Sequence, residues 1–224
     1  MNIFIPIFLI TISYLIGSIA SAIVICRIFH LDDPRNKGSG NPGATNIMRL
    51  HGKRLAFLTL TGDMLKGFMP VLLATFFGSS ELIICLCGLA SLLGHIFPIF
   101  FNFKGGKGVA TMIGALLAIH WLLGLAYVAT WGITALLFRY SSFAALIASL
   151  LTPLYTWLIL QNFNVLISNS LMVILLLWRH KSNIRNLIAG TEDKMTKKKN
   201  KTRMLNHNDS NGHLALALKL SDSV

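Results

Sequence analysis

From Asn2 to Cys26 the chain runs without a single charged side chain. A water-soluble domain rarely tolerates such a stretch, and crossing the hydrocarbon core of a bilayer takes about 20 mostly apolar residues in a helix. Two further runs, Leu55–Gly78 and Leu82–Phe101, are also long enough to cross and nearly as poor in charge. Only 12% of the 224 residues are Asp, Glu, Lys or Arg, against about a quarter in an ordinary soluble domain. The chain reads as an all-α integral membrane protein. No soluble stretch is long enough to fold separately, so residues 1–190 form one polytopic membrane domain and 191–224 a polar, basic tail expected to be disordered. Ala20-Ser21-Ala22 imitates a signal-peptide cleavage site. With no positive n-region and too long an apolar run, the segment reads as a span.

Polar punctuation divides the apolar sequence into about seven transmembrane helices, roughly 3–26, 55–78, 82–100, 109–120, 122–138, 143–160 and 165–178. Placing the N-terminus outside puts 27–54, 101–108, 139–142 and 179–224 inside, and these hold 19 of the 20 Lys and Arg residues. The remaining one, Lys66, lies within a span. Positive charge gathers on the cytoplasmic side, which predicts an outside N-terminus and a cytoplasmic C-terminus. The segment 109–120 is short for a full crossing, so neighbouring helices must shield it or the bilayer must thin there. Cys26, Cys85 and Cys87 fall in or at the ends of spans and read as small buried residues.

Four polar clusters remain, and all face the predicted cytoplasmic side or enter a span from it. The first, Gly38-Ser39-Gly40-Asn41-Pro42-Gly43-Ala44-Thr45-Asn46 with Arg49 beyond it, combines glycines that let backbone N–H groups converge on an anion with hydroxyl and amide donors. It reads equally as a tight turn before an amphipathic segment; Ala44 stands where a Walker loop needs lysine. The second, Asp63-Met64-Leu65-Lys66-Gly67, sets two opposite charges three residues apart on one helix face. Ionisable groups inside a span mark function by default, although a purely structural pair fits too. The third, from Gly94-His95 through Lys104-Gly105-Gly106-Lys107-Gly108, flanks a glycine pair with lysines just before a helix start, a second anion-binding loop. A plain cytoplasmic loop would explain the lysines but not the glycines. His95 reads either as a packed histidine or as a ligand. The fourth, Arg139-Tyr140-Ser141-Ser142 and Arg179-His180-Lys181-Ser182-Asn183, is by itself compatible with cationic anchors at helix ends.

No nucleotide fold, paired catalytic carboxylates, Cys/His metal spacing or acidic cluster for Mg²⁺ accompanies these loops. No metal or cofactor is expected, and no nucleic-acid partner. The His-x4-Asp pattern of another group of lipid acyltransferases is missing. What remains is a substrate bound through phosphate, already activated, with its apolar part between helices.

GSGNPGATN, DMLKG, GHIFPIFFNFKGGKGVAT, RYSS and RHKSNI, in that order, closely resemble the bacterial acyl-phosphate:glycerol-3-phosphate acyltransferases, the PlsY family. The resemblance runs from about Gly38 to Glu192. It implies a multi-pass enzyme of the bacterial inner membrane with a cytoplasm-facing site. The implied reaction transfers a fatty acyl group from acyl phosphate to the 1-hydroxyl of glycerol 3-phosphate, giving lysophosphatidic acid and phosphate. It further implies that Ser39, Gly40, Asn41, Gly43, Thr45, Asn46, Arg49, Gly105, Gly106 and Lys107 bind substrate phosphate. Lys104, Ser142, His180, Asn183 and His95 would hold the second phosphate, the acceptor and the loops. The chain departs from the family at Asn186, where arginine is usual; Arg185 stands next to it. The KKKNK run of the tail reads as an extension drawn to anionic lipid headgroups. A transporter or channel for a phosphorylated solute is the alternative, against which stands the lack, in the sequence pattern, of an internal repeat and of paired broken helices in corresponding halves.

Overall fold

The computed structural model describes residues 3–195, and every regular element among them is helical. The chain divides into two units, 1–192 and 193–224. The KKKNK run and the rest of the tail from residue 196 lie outside the described residues. The first unit comprises α1 (Phe4–Gly17), α2 (Ser21–Ile28), α3 (Ala44–His51), α4 (Lys53–Phe76), α5 (Glu81–Ile96), a 3-10 turn (Ile99–Phe101), α6 (Val109–Ile119), α7 (Trp121–Phe138), α8 (Ser141–Leu160), α9 (Phe163–Arg179) and α10 (Lys181–Ile188). Four segments, α4, 81–101, α7 and α8, are each long and apolar enough to cross a membrane. Two bent pairs, α1 with α2 (48°) and α9 with α10 (59°), also qualify if each is one span, and α6 is a shorter apolar helix. The protein is a multi-pass membrane protein.

Small residues bring the helices together. A Cβ on Gly67 of α4 would lie 2.0 Å from the Thr111 carbonyl oxygen of α6, and one on Gly114 would lie 2.0 Å from the Met64 carbonyl oxygen. The two helices thus interlock through a glycine from each, the close approach that small residues permit in lipid. Gly17 of α1 and Gly94 of α5 make the matching contact, with Ser91 and Tyr14 backbone atoms in the way of any side chain. Around these seams Val71, Leu92, Ile96, Met112, Leu116, Leu123, Tyr127, Met172 and Leu176 fill one apolar core. Cys26, Cys85 and Cys87 are buried thiols within the bundle.

The same contacts explain how the short α6 fits. Gly67 lies about 20 Å along α4 from Lys53 at 1.5 Å per residue, and it meets Thr111 in the first turn of α6. α6 therefore begins beside the middle of α4. The loop 102–108 descends from the surface to meet it, its Gly106 N–H donating to the last-turn carbonyl of His95 (3.2 Å). Neighbouring helices bury most of α6, from Thr111 to Leu116.

Candidate active site

The first loop is built around Asn46, 1% exposed. Its Oδ1 accepts from the Ser39 N–H (3.0 Å), while its Nδ2 donates to the carbonyls of Pro34 (3.0 Å) and Lys37 (3.1 Å). Asn46, expected to bind phosphate, spends these side-chain bonds shaping the loop. Gly38 (φ 64°) and Gly40 (φ 69°) occupy the left-handed region, where a Cβ is costly. Gly43 sits in extended backbone (φ −138°) and caps α3. Arg35 pairs with Asp33 (2.7 Å) and donates to the Phe101 carbonyl (2.9 Å), tying this loop to the end of the 3-10 turn. Those Arg35 hydrogen bonds hold the Asp33 carboxyl below its ordinary range.

The second loop is braced from both sides. Arg179, at the end of α9, donates Nε to the Gly106 carbonyl (3.2 Å) and Nη2 to the Gly105 carbonyl (2.9 Å). A Cβ on Gly105 would be 2.0 Å from the His95 carbonyl oxygen, and one on Gly106 would be 2.2 Å from His95 Nε2. Both positions admit only hydrogen, because the loop lies directly on His95. Gly108 (φ 89°) then turns the chain into α6.

The two loops and the start of α10 enclose a cleft of about 210 Å³, lined by Ser39, Gly40, Asn41, Gly105, Lys107, Trp178, Arg179, Lys181 and Ser182. The helices α3, α6, α8 and α10 all begin without a side-chain cap on their N-termini. Thr45 of α3 is 3.3 Å from Ser141 of α8. Ser142 of α8 (2.5 Å) and Asn183 of α10 (2.7 Å) both donate to one oxygen of Glu192. The N-terminal ends of three helices are thereby drawn together, with positive dipole ends suited to an anion. Lys107 lies among Glu192, Arg179 and Arg49. Burial, reinforced by the two arginines and opposed by Glu192, pushes its amine down to about 8.

The sequence-derived candidates now separate. Ser39, Gly40, Asn41, Gly105 and Lys107 line the cleft, Thr45 and Gly43 mark the α3 N-terminus, and Arg49 stands close enough to Lys107 to act on its charge. His180 is 2% exposed, and its Nδ1 donates to the Leu176 carbonyl (2.8 Å), which leaves Nε2 as the lone-pair nitrogen of the neutral ring. His95 lies buried beneath the Gly105–Gly106 segment as its support. Lys104, expected beside Lys107, is placed outside the cleft. The turn after Phe101, with left-handed Asn102 and Phe103 and a Lys104 N–H bond to the Phe101 carbonyl (3.3 Å), leaves that side chain exposed. Asn186 and Arg185 are likewise exposed.

Sequence reasoning missed Arg179 and Glu192. Arg179 was hidden among residues that equally make membrane anchors. Glu192 carried a signal: it is one of only eight acidic residues in the chain. It follows Gly190, whose φ of 69° and bond to the Leu187 carbonyl (3.2 Å) turn the chain after α10.

Residues 7–190 match the glycerol-3-phosphate acyltransferase family model. The chain is 49% identical over 186 residues to the glycerol-3-phosphate acyltransferase of Hydrogenovibrio crunogenus, covering 83% of this chain and 89% of that one. It is 47% identical over 191 residues to that of Methylococcus capsulatus, covering 85% and 96%. Among solved structures it is similar to PlsY (YgiH), an integral membrane glycerol 3-phosphate acyltransferase. The glycerol 3-phosphate form superposes with a TM-score of 0.81 at 39% identity, covering 84% of this chain and 94% of that one. The lysophosphatidic acid form gives 0.79 at 38%, with the same coverage.

Proposed function

We propose that this chain, which belongs to the glycerol-3-phosphate acyltransferase family, transfers a fatty acyl group from acyl phosphate to the 1-hydroxyl of glycerol 3-phosphate. It is an acyltransferase enzyme of phospholipid synthesis that makes lysophosphatidic acid. The observation that carries the choice of donor is the cleft between two glycine loops, lined by Lys107, Arg179 and the first residues of α10. Glycine loops and cationic side chains of this kind suit phosphate groups. Lys107, Ser39, Asn41 and the amides at the α3 and α6 starts hold phosphate, with Arg49 adding charge. Asn183 Oδ1 is buried without a partner among the described residues and accepts from a glycerol hydroxyl, while Ser142, His180 and Glu192 order that side.

In the transfer, the glycerol oxygen attacks the acyl carbon, the bond from that carbon to the phosphate oxygen breaks, and phosphate leaves with its electron pair. The hydroxyl proton passes to a phosphate oxygen, so one ester and one phosphate form from one anhydride and one alcohol. The anhydride is already activated. The protein therefore contributes proximity and positive charge opposite the departing phosphate, with no covalent enzyme intermediate.

The seven spans run with the N-terminus outside, and the loops face the cytoplasm of a bacterial inner membrane. Residues 1–190 form the catalytic domain, and the basic tail is drawn to anionic lipid headgroups. The test is release of inorganic phosphate from palmitoyl phosphate by purified protein in detergent. Release is expected only with glycerol 3-phosphate present, and palmitoyl-CoA is expected to serve poorly. Equal turnover with palmitoyl-CoA would overturn the donor assignment.

A further inference from the structure

Asp63 and Lys66 are 3% and 5% exposed in the middle of α4. They form an ion pair of 2.9 Å, and nothing in the proposed chemistry uses them. Lys66 Nζ also donates to the Ile19 carbonyl (2.8 Å), in the break between α1 and α2 where helical partners have run out. Asp63 Oδ1 lies 3.7 Å from His95 Nδ1, and the same ring nitrogen is 3.1 Å from Thr111 Oγ1 in the first turn of α6. The other side of that imidazole is the floor on which Gly106 rests. A buried ion pair is weak support for stability as such, because desolvating both charges offsets their attraction. One that joins four separate segments beneath a ligand loop has a geometric consequence instead.

We propose that Asp63 and Lys66 are positioning residues: through His95 and Thr111 they set the height and tilt of the Gly105–Gly106 segment, and hence where Lys107 meets substrate phosphate. Lys66 locks the α1–α2 break to α4. Thr111 Oγ1 holds Nδ1 at 3.1 Å, with the Asp63 carboxylate behind it at 3.7 Å, so that Nε2 rather than a ring carbon supports Gly106. The pair thereby couples the packing of the helices to the shape of the cleft. As a kinetic statement this rests on the acyl-transfer reading above; as a statement about the loop it does not.

The test uses full-length protein in detergent with two variants. Asp63→Leu/Lys66→Met removes both charges at similar volume, and Thr111→Val removes one hydroxyl from beside the ring. Amide hydrogen exchange at Gly105, Gly106 and Lys107 is expected to quicken in each variant, with the cores of α7 and α8 unchanged. Steady-state kinetics are expected to show a rise in KM for the substrate that Lys107 holds, identified as the one whose KM rises in Lys107→Met. The rise should be about tenfold in the double variant, as misplacement of a binding group produces. It should be roughly threefold in Thr111→Val, the size of one neutral hydrogen bond, with the other KM unchanged in both. Unaltered exchange at the loop overturns the proposal, as does a parallel loss of every kinetic constant in proportion to unfolded protein. Should the double variant fail to fold, Thr111→Val decides by the same criteria. Should wild-type protein lack acyltransferase activity, the functional reading falls and the exchange data alone decide the loop.

Discussion

Lys107 carries a charge into a place poor in water, and its amine sits near 8 because burial penalises the protonated form. An unfolded lysine titrates near 10.4, so the folded state bears the cost of that charge at neutral pH and sheds it as pH climbs through about 8. Phosphate binding needs the charged form. kcat/KM is therefore expected to fall as pH rises through about 8, while kcat holds to higher pH because bound phosphate favours the ammonium. A kcat/KM that is flat to pH 9.5 would contradict this. Lys107→Met should lower kcat/KM about tenfold to a hundredfold, a loss of roughly 1.5–3 kcal/mol for a charge-assisted contact. Lys104→Met should stay within about threefold, the scale of an exposed charge. Parity of the two lysines in steady-state assays would restore Lys104 to the site. Gly40→Ala places a Cβ at a φ of 69° and should reduce specific activity per folded protein by about tenfold, for roughly 1–2 kcal/mol of strain. Gly43→Ala adds no left-handed strain but puts a Cβ 2.7 Å from Asn41 Nδ2 and should displace that cleft-lining amide, and Ser39→Ala should weaken binding by about 1 kcal/mol.

Between elements, the contact that decides the site is α4 against α6. Gly67→Ala would press a methyl group onto the Thr111 carbonyl, 2.0 Å away, and the helices must part to admit it. Overpacking of this kind costs about 1–3 kcal/mol. Here it also displaces the first turn of α6, which follows directly on Gly108. Thermal unfolding in detergent should show a lowered midpoint together with reduced activity of the protein that remains folded. Gly132, with nothing within 4 Å of an added Cβ, is the matched control, and Gly132→Ala should leave both measurements unchanged. Equal behaviour of the two variants would remove the α4–α6 seam from the account.

For the whole molecule, the proposed orientation, with the loops carrying the cleft in the cytoplasm, rests on the distribution of Lys and Arg and can be tested. Single cysteines at Ser80, before α5, and at Arg54, at the start of α4, stand on opposite sides of that arrangement. With the three native thiols buried, a membrane-impermeant maleimide applied to intact cells should label Ser80→Cys and spare Arg54→Cys. The reverse pattern would invert the orientation.

Membrane residence was decided by the sequence alone, since a run like 2–26 has few other stable environments, and the two glycine-rich loops were visible there as candidate anion sites. Most helix positions were legible for the same reason: charge and glycine mark where apolar spans must stop, and the short α6 was already visible as an anomaly, but the break that splits the first run into α1 and α2 was not. Three things needed the tertiary structure. Of two lysines three residues apart, only Lys107 lines the cleft, because left-handed turns at Asn102 and Phe103 leave Lys104 exposed. Asn46 became scaffold because its amide meets backbone groups seven to twelve residues away. Arg179 joined the site because α9 ends beside a loop more than seventy residues earlier in the chain. Local pattern reports which groups a segment offers. Which of them meet is settled by packing between distant segments, and no period or spacing along the chain encodes that.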